Sequence, residues 1–352
     1  MMSQNDPGLV SIIVPARNEE VNLECLVRSL AAQRGVREIL IVDDQSEDRT
    51  LEILEALKAE APRLRVLHID SLPEGWLGKT YAVTVAAREA AGDWLLFTDA
   101  DTEHLPGSLA ALLELAEREG ADLLSLSPGQ VTPTWWEKAV IPLVYVHLAR
   151  LYRFDEVSEP GSAAAAANGQ YLLIRRQAYA RVGGHREIRN AILEDVELAK
   201  RVKASGGKLL FLPGAAWVRT RMYRSFSEMW RGWTKNLFLI YGGSLAKIFK
   251  TLAELCALDL LPQFFLLVFL MWLLSGRGNV IVLCGALGCL LIVVVRHASY
   301  LRAVTRLGFD SRVAPWRLEG AVILGALLIN SVIAHRVSGH VDWKGRRYST
   351  RG

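Results

Sequence analysis

The chain has 352 residues, 51% of them hydrophobic, with a mean hydropathy of +0.21; this length admits two domains, and the apolar fraction is high for a wholly soluble protein. Its 41 Lys and Arg against 37 Asp and Glu leave a net charge of +4, concentrated after residue 296, which suits anionic lipid headgroups and argues against a nucleic-acid partner. Four cysteines, three of them (Cys256, Cys284 and Cys289) in or beside apolar segments, lack metal-ligand or pairing spacing and read as small hydrophobes in a reducing compartment.

In chain order, residues 10–14 form the first predicted strand, which closes on Pro15-Ala16-Arg17-Asn18-Glu19-Glu20 and is followed by an amphipathic helix to about Gln33. The apolar run 9–14 is too short for a leading membrane helix or signal peptide and meets Pro15, so the N-terminal part is expected to stay in the cytoplasm. Residues 37–44 repeat the scheme: a buried strand over 38–42, then Asp43-Asp44-Gln45-Ser46-Glu47-Asp48, rich in helix-capping types. A third strand over 64–69 runs into Pro73-Glu74-Gly75-Trp76-Leu77-Gly78-Lys79 and a helix to Ala91. Next comes Leu96-Phe97-Thr98-Asp99-Ala100-Asp101-Thr102, an apolar run ending in two carboxylates. A buried strand here delivers Asp99 and Asp101 to the lip of the sheet, where open α/β folds bind ligands. Such close, hard oxygen donors suit Mg²⁺ or Mn²⁺ bridging to a diphosphate. The plainer alternative is a turn in which Asp bonds nearby backbone. Strands alternating with helices predict a parallel sheet with right-handed crossovers, so Asn18, Asp44, Lys79, Asp99 and Asp101 converge on one edge.

Residues 135–152 are apolar around most of a helix, with Trp135, Trp136, Tyr145 and Tyr152 and a thin basic face of Lys138, His147 and Arg150. That pattern fits a helix in the membrane interface; a core helix is the alternative. Residues 162–167 are all small and lead into Asn168-Gly169-Gln170, either a wall of an acceptor tunnel or a tightly packed backbone crossing. Ile192-Leu193-Glu194-Asp195 opens a helix to about Ala204, a favourable place for carboxylates in any protein, and a strand over 208–212 follows. Three apolar segments come last, 260–274, 280–295 and 321–334, inside stretches near 252–275, 279–296 and 319–335. Runs of about 10–14 residues are more often interfacial or re-entrant than spanning, which puts the third in doubt. Arg296, Arg302, Arg306, Arg312 and Arg317 mark the loop after the second segment as cytoplasmic, and the tail from Arg336 to Arg351 is equally basic. The expectation is a two-helix hairpin plus a tilted or re-entrant third segment.

The series Pro-Ala-Arg-Asn-Glu-Glu, Val-Asp-Asp-Gln-Ser-Glu-Asp, Gly-Trp-Leu-Gly-Lys and Thr-Asp-Ala-Asp resembles the family 2 glycosyltransferases, and no dinucleotide Gly-x-Gly-x-x-Gly follows the first strand. Arg221-Met222-Tyr223, Gly232-Trp233-Thr234-Lys235 and Val341-Asp342-Trp343-Lys344-Gly345-Arg346-Arg347-Tyr348 look like the membrane-bound diaponeurosporenoate glucosyltransferase branch and, more remotely, ceramide glucosyltransferase. The resemblance implies a GT-A catalytic domain over 1–236, Rossmann-like with a mostly parallel sheet, and an α-helical membrane region over 237–352. It implies that Asp44 holds the uracil, with Asp43 second, and that Ala16, Asn18 and Glu19 belong to the nucleotide-sugar site. Asn18 and Glu19 could equally cap a helix. Lys79 would face the nucleotide or its phosphates, or be a solvated helix-start lysine; Asp99 would lie near the ribose and diphosphate, and Asp101 would bind the metal.

In this family the acidic pair, here Glu194 and Asp195, supplies the catalytic base, with Asp195 at the matching position. An acceptor hydroxyl attacks well only when a positioned carboxylate removes its proton. One base without a second nucleophile predicts a single in-line displacement with inversion, the metal stabilising the leaving diphosphate. The family's Gln/Arg-x-x-Arg-Trp signature is present only as Arg231-Gly232-Trp233, which argues against a processive polysaccharide synthase. Asn168, Gly169, Arg231, Trp233, Lys235, Trp343 and Arg346 are candidates for the diphosphate or acceptor, the tail lying on the cytoplasmic face near the active site or else only binding anionic lipid. The expected activity is metal-dependent, inverting hexose transfer from a UDP-sugar to a lipid hydroxyl or carboxyl at the cytoplasmic face of the cell membrane. Alternatives are a polyprenyl-phosphate glycosyltransferase and a catalytically inactive membrane protein that binds nucleotide or lipid.

Overall fold

A β-branched run buried on both faces belongs inside a parallel sheet, and β1 (Val10–Ala16) is buried along all but one residue of its length. The computed structural model describes residues 9–349; residues 1–8 and 350–352, with Arg351 of the expected basic tail, lie outside the described part. Helix α1 (Leu23–Ala31) presents Leu23, Leu26, Val27 and Leu30 to the core, the spacing of a single apolar stripe. β2 (Val36–Asp43), α2 (Thr50–Leu57), β3 (Leu64–His68) and α3 (Gly78–Glu89) continue the alternation. β4 (Trp94–Phe97), β5 (Thr102–His104), α4 (Ser108–Arg118), β6 (Leu123–Ser127) and β7 (Gly129–Gln130) precede α5 (Trp135–Leu151). Then come α6 (Phe154–Ser158), β8 (Leu172–Arg175), α7 (Arg176–Arg181), α8 (Glu194–Ala204), β9 (Leu209–Pro213) and β10 (Val218–Thr220).

The chain divides into two units, the first running to Val131 and resuming over Tyr152–Met222, the second made of Thr132–Leu151 and the chain from Tyr223 on. The expected boundary at residue 236 therefore shifts to 222, and α5 leaves the first unit for the second.

In the first unit the main sheet has the order β3-β2-β1-β4-β8-β6-β9. β8 runs antiparallel to both neighbours, β4 and β6, while the other neighbouring strands pair in parallel. The sheet is thus mostly, not wholly, parallel. Side chains alternate across it: Ile12 and Val14 pack with α1 and α4 on one face, and Ile13 packs with Ala82, Val83 and Ala86 of α3 on the other. A smaller sheet, β5-β10-β7, accompanies it. Because β1 has β2 on one side and β4 on the other, the order reverses there, and the crevice outside the carboxyl ends of β1 and β4 is where such sheets bind ligands.

Ala165, Ala166 and Ala167 are buried in the α3-side core. This makes the small-residue stretch a tightly packed crossing, not an open wall: alanines let the backbone pass close to the sheet. Lys203 fastens the crossing through its ammonium, which donates to the carbonyls of Val157, Glu159 and Ala164 at 2.8, 3.0 and 2.6 Å.

The second unit adds α9 (Phe226–Ile240), α10 (Leu245–Glu254), α11 (Leu261–Leu274), α12 (Val280–Arg306) and α13 (Arg317–Ile333) to α5, and ends in a hairpin of β11 (His340–Trp343) and β12 (Arg346–Ser349). Positive φ at Lys344 (46°) and Gly345 (76°) gives the hairpin the two-residue turn whose twist matches its strands. α5 is buried at Trp136, Glu137 and every residue from Ala139 to His147. Gly320 of α13 sits so close to the Ala139 carbonyl that no side chain would fit. α13 is also bonded to α9: Asn330 Nδ2 donates to Thr234 Oγ1 at 2.8 Å, and Ser331 Oγ accepts from the Phe238 amide at 2.9 Å. This is the burial of a core member of the second unit, whereas a helix lying on lipid would keep one broad face open.

Three helical stretches, Leu245–Leu274, Val280–Arg306 and Ser311–Ser338, have 30, 27 and 28 residues and are long and apolar enough to cross a membrane. The third is longer than its apolar core because a 3₁₀ turn before it and a π turn after it extend α13. Its length is therefore no argument against crossing.

Candidate active site

The functional side chains sit on loops that the sheet holds in register. β4 stops at Phe97, and Thr98 fixes the next turn: its hydroxyl donates to the Gln170 carbonyl at 2.8 Å and lies 3.0 Å from Thr102 Oγ1 and 3.1 Å from His104 Nε2. Thr102 Oγ1 in turn donates to the Asp99 carbonyl at 2.8 Å. Asp99 is thus presented from a tied loop. The start of α3 is tied as well, since the Leu77 amide and the Thr80 hydroxyl both donate to the Arg189 carbonyl, at 2.9 and 2.6 Å. That joins the segment leading into α8 to the turn that carries Lys79.

Lys79 Nζ lies 2.7 Å from Asp99 Oδ1 and 2.7 Å from Glu194 Oε1. Beside them, Asp195 accepts from the Gly169 amide through Oδ2 and from the Val196 amide through Oδ1, both at 2.8 Å. A Cβ on residue 169 would come within 2.9 Å of the Lys79 ammonium, so a glycine is what lets the backbone reach this cluster. Pro15, Phe97, Asp99, Gly169, His185 and Asp195 are among the residues lining one pocket at the switch point of the sheet.

Burial alone would depress the Lys79 ammonium, but Asp99, Glu194 and Asp195 hold it well above the ordinary lysine value. Asp195 goes the other way. Burial first, and the neighbouring Glu194 carboxylate second, push it up to about 7 against the pull of Lys79 and its two backbone donors. A carboxylate so poised can take a proton near neutral pH. His185, which sequence reasoning missed, is driven down to about 3 by burial and by Lys79, and it is therefore a neutral wall. Its Nδ1 lies 2.9 Å from the Tyr179 hydroxyl and its ring meets Phe97 edge-on at 4.8 Å. The Gly183-Gly184-His185 run after a short helix was the available signal, since both glycines have positive φ.

Lys79, Asp99, Gly169, Glu194 and Asp195 are thus together. A second group gathers at the ends of β1 and β2. The Asp44 amide donates to the Ala16 carbonyl at 2.8 Å, and Arg17 Nη1 donates to the carbonyls of Asp44 and Gln45 at 2.8 and 2.7 Å. Asn18 takes φ of 52° and its Oδ1 accepts from the Glu47 amide at 2.8 Å, while the Glu19 amide donates to Thr50 Oγ1 at 2.8 Å and its carboxylate accepts from Asn22. Both residues stitch the two loops together, and the N-cap positions of α1 and α2 belong to Asn22 and Arg49. Asp43 is engaged by His68 Nδ1 at 2.9 Å and by the Ser46 amide. Asn168 folds back on its own turn, its Oδ1 accepting from the Gln170 amide at 3.0 Å, and so shapes the loop.

Asp101 lies two residues beyond Asp99, and its backbone carbonyl accepts from Thr220 Oγ1 at 3.1 Å. Among the described residues no three His, Cys, Asp or Glu are grouped to hold a metal ion. Asp99 and Asp101, two residues apart, are of the hard oxygen-donor type that Mg²⁺ or Mn²⁺ takes.

Arg231, Trp233, Lys235, Trp343 and Arg346 belong to the second unit. There Trp233 and Trp343 both meet Tyr223 edge-on at 6.2 Å, Lys235 Nζ lies 5.0 Å over the Trp343 ring, and Arg346 stands opposite Trp343 in the hairpin. Arg231 is separate, its Nε donating to the Ser227 carbonyl at 3.3 Å. Gly232, which interrupts the Arg-Trp signature, lies where any Cβ would overlap the Tyr223 ring. The departure from the family pattern thus has a packing cause.

Residues 11–183 match the family described as glycosyl transferase family 2. The chain is 29% identical over 231 residues to a 4,4'-diaponeurosporenoate glycosyltransferase of Staphylococcus haemolyticus strain JCSC1435, an alignment covering 65% of this chain and 60% of that protein. It is 24% identical over 354 aligned positions to the protein of the same description from Staphylococcus aureus strain MRSA252, covering 97% of this chain and 88% of the relative. Among solved structures it is similar to the mannosyltransferase PcManGT from Pyrobaculum calidifontis in complex with GDP-Man and Mn²⁺, with a TM-score of 0.53, 16% identity, and coverage of 94% of this chain and 87% of that one. At that identity the likeness speaks to the fold alone, and the fold is that of the GT-A glycosyltransferases.

Proposed function

We propose, for a glycosyltransferase that carries its family 2 domain over residues 11–183, the transfer of a hexose from a nucleotide sugar, specifically a UDP-sugar, to a lipid acceptor, with inversion. The observation that carries this reading is the Lys79 ammonium set between Asp99 and Glu194, 2.7 Å from each, with the raised Asp195 beside it in one pocket. In this reading Asp44 and Ala16 bind the base, Asp99 lies at the ribose and diphosphate, and Lys79 counters the phosphate charge. Asp101 would hold Mg²⁺ or Mn²⁺, which supplies Lewis-acid stabilisation of the leaving diphosphate. Asp195 removes the acceptor proton as the acceptor oxygen bonds the anomeric carbon and the bond from that carbon to the diphosphate breaks. A single displacement of this kind inverts the configuration.

The relatives' name, a transferase of diaponeurosporenoate, supports a long lipid-like acceptor, and the three apolar helical stretches support catalysis at a membrane. We place the first unit on the cytoplasmic face of the cell membrane. The second reading, transfer to a polyprenyl phosphate, shares with a lipid carboxylate an acceptor already ionised, which has no proton for Asp195 to take, so the base separates a hydroxyl acceptor from either. The test is turnover of radiolabelled UDP-glucose by the full chain in detergent with total lipid extract and Mn²⁺, beside Asp195→Asn and Asp101→Ala. Label in an organic-phase product, lost in both variants, is the expected result. Label surviving Asp195→Asn points to an ionised acceptor, and failure of a panel of nucleotide sugars even to bind would overturn the catalytic reading.

A further inference from the structure

Five charged side chains of the second unit form one ion network in an otherwise apolar setting. Asp259 accepts from Arg317 and, at 2.7 Å, from Arg296. Glu254 accepts from Arg296 at 3.2 Å and from Arg150 at 2.8 Å. The network ties α5, α10 with its π-helical extension, α12 and the start of α13 at a single level, and neighbouring contacts show which way each helix leaves it. Gly285 of α12 lies against Phe269 of α11, so these two descend together from Arg296 and Asp259 to the turn at 275–279. Gly325 of α13 meets Leu252, so α13 runs from Arg317 alongside α10, in the opposite direction to the hairpin.

At 1.5 Å per residue the hairpin reaches about 23 Å from the network to its turn, while Arg317–Ser338 reaches about 32 Å the other way. A hydrocarbon core of about 30 Å cannot hold both. From residue 260 to 295 the one charged residue is Arg277, in the turn, whereas Lys247, Lys250, Arg302, Arg306, Arg312 and Arg336 lie beyond the network on its other side. Leu274 and Ile281, near the turn, are 88% and 80% exposed. The share of the apolar window buried is 11% for each of the first two stretches but 39% for the third. Placing α13 fully in the bilayer would push the hairpin's apolar surface into water, and any intermediate depth would draw the ion network toward the midplane, where ionised groups are costly.

From this we infer that the membrane-inserted element is the α11–α12 hairpin, that the Arg150–Glu254–Arg296–Asp259–Arg317 network is its shoulder at the hydrocarbon boundary, and that α13 does not cross. The partner of the exposed hairpin surface is the lipid bilayer. α10, which continues α11 beyond the network, then carries Lys247 and Lys250 away from the hydrocarbon on the same side as α13. This holds whichever acceptor the enzyme uses. It predicts that residue 312, before α13, and residue 347, after it, face the same aqueous compartment. In a full-length background with Cys25, Cys256, Cys284 and Cys289 replaced by serine, Arg312→Cys and Arg347→Cys are reacted with an impermeant maleimide in right-side-out and inside-out vesicles. Both positions are solvent-exposed, and each variant is first checked for monodispersity in detergent. Labelling of both cysteines in the same vesicle orientation is expected; labelling in opposite orientations, as three crossings require, would overturn the inference.

Discussion

Gly169→Ala tests the geometry of the charged cluster with a single methyl group. The added Cβ would stand 2.9 Å from Lys79 Nζ, 3.5 Å from Glu194 Oε1 and 3.7 Å from Asp195 Oδ2. Non-bonded heavy atoms settle at about 3.5–4.0 Å, so the ammonium must retreat by roughly half an ångström. It has little freedom to do so, because carboxylates hold it at 2.7 Å on two sides, and retreat lengthens at least one of those contacts. A charge-assisted hydrogen bond contributes about 1.5–3 kcal/mol, so weakening one by half costs about 1 kcal/mol. Expressed in the transition state, that is about fivefold in kcat/KM. Gly161→Ala is the control, since nothing lies within 4 Å of its Cβ position. Turnover and thermal melting are measured on both variants beside the parent. Parental turnover and melting in Gly169→Ala would refute the reasoning, because the Lys79 position would then not matter at this precision.

Other outcomes follow from the same structure. If Asp195 is the base, log kcat/KM should fall with unit slope as pH drops below about 7, its raised value; a flat profile between pH 5.5 and 8 would remove it from that role. The sign for stability is opposite, because a carboxylate raised in the folded state binds protons more readily there than when unfolded. Its contribution therefore favours folding increasingly as pH falls from about 7 toward the ordinary range near 4. Glu38→Ala should lower stability by about 2 kcal/mol in denaturant melts, since Arg65 is partly exposed but Glu38 itself and Ser11 are buried. That carboxylate accepts from Ser11 Oγ at 2.8 Å, the Ala91 amide at 2.7 Å and Arg65 Nη1 at 2.5 Å. Burial would raise its pKa, but these donors lower it on balance, so its stabilisation is present above the ordinary carboxylate value and lost as pH falls through the depressed one. Chelation should abolish turnover and Mn²⁺ or Mg²⁺ restore it in the parent; Asp101→Ala should resist rescue, read in the same transfer assay.

The alternating first half of the sheet was legible because β1, β2 and β4 are apolar runs closed by polar clusters, and α1 keeps one stripe. β6 and β8 were not, since runs as short as Leu123–Ser127 and Leu172–Arg175 carry no periodicity that separates strand from helix. With β8 went the antiparallel insertion, which depends on the direction from which the chain re-enters the sheet. That Lys79 and Asp99 share one edge could be anticipated from the alternation of strands and helices, and Asp195 only from the family resemblance, but the salt bridge joining α3 to α8 could not, because residues 79 and 194 meet only through the tertiary fold. α5 misled for a related reason. A helix apolar around its circumference suits lipid and core alike, and what covers it, α13, lies almost two hundred residues downstream.

The interleaving of the two units has a practical corollary for anyone preparing the enzyme. Truncation after residue 222 or 236, the natural way to free a catalytic domain from its membrane part, would leave α5 in the fragment and remove α13, against which Ala139 is packed at Gly320. Val140, Ile141, Leu143, Val144 and Val146, each no more than 5% exposed, would lose the unit that buries them. Such a fragment should be sticky in water, and a workable soluble version would have to replace 132–151 with a short polar linker as well as stopping at 222.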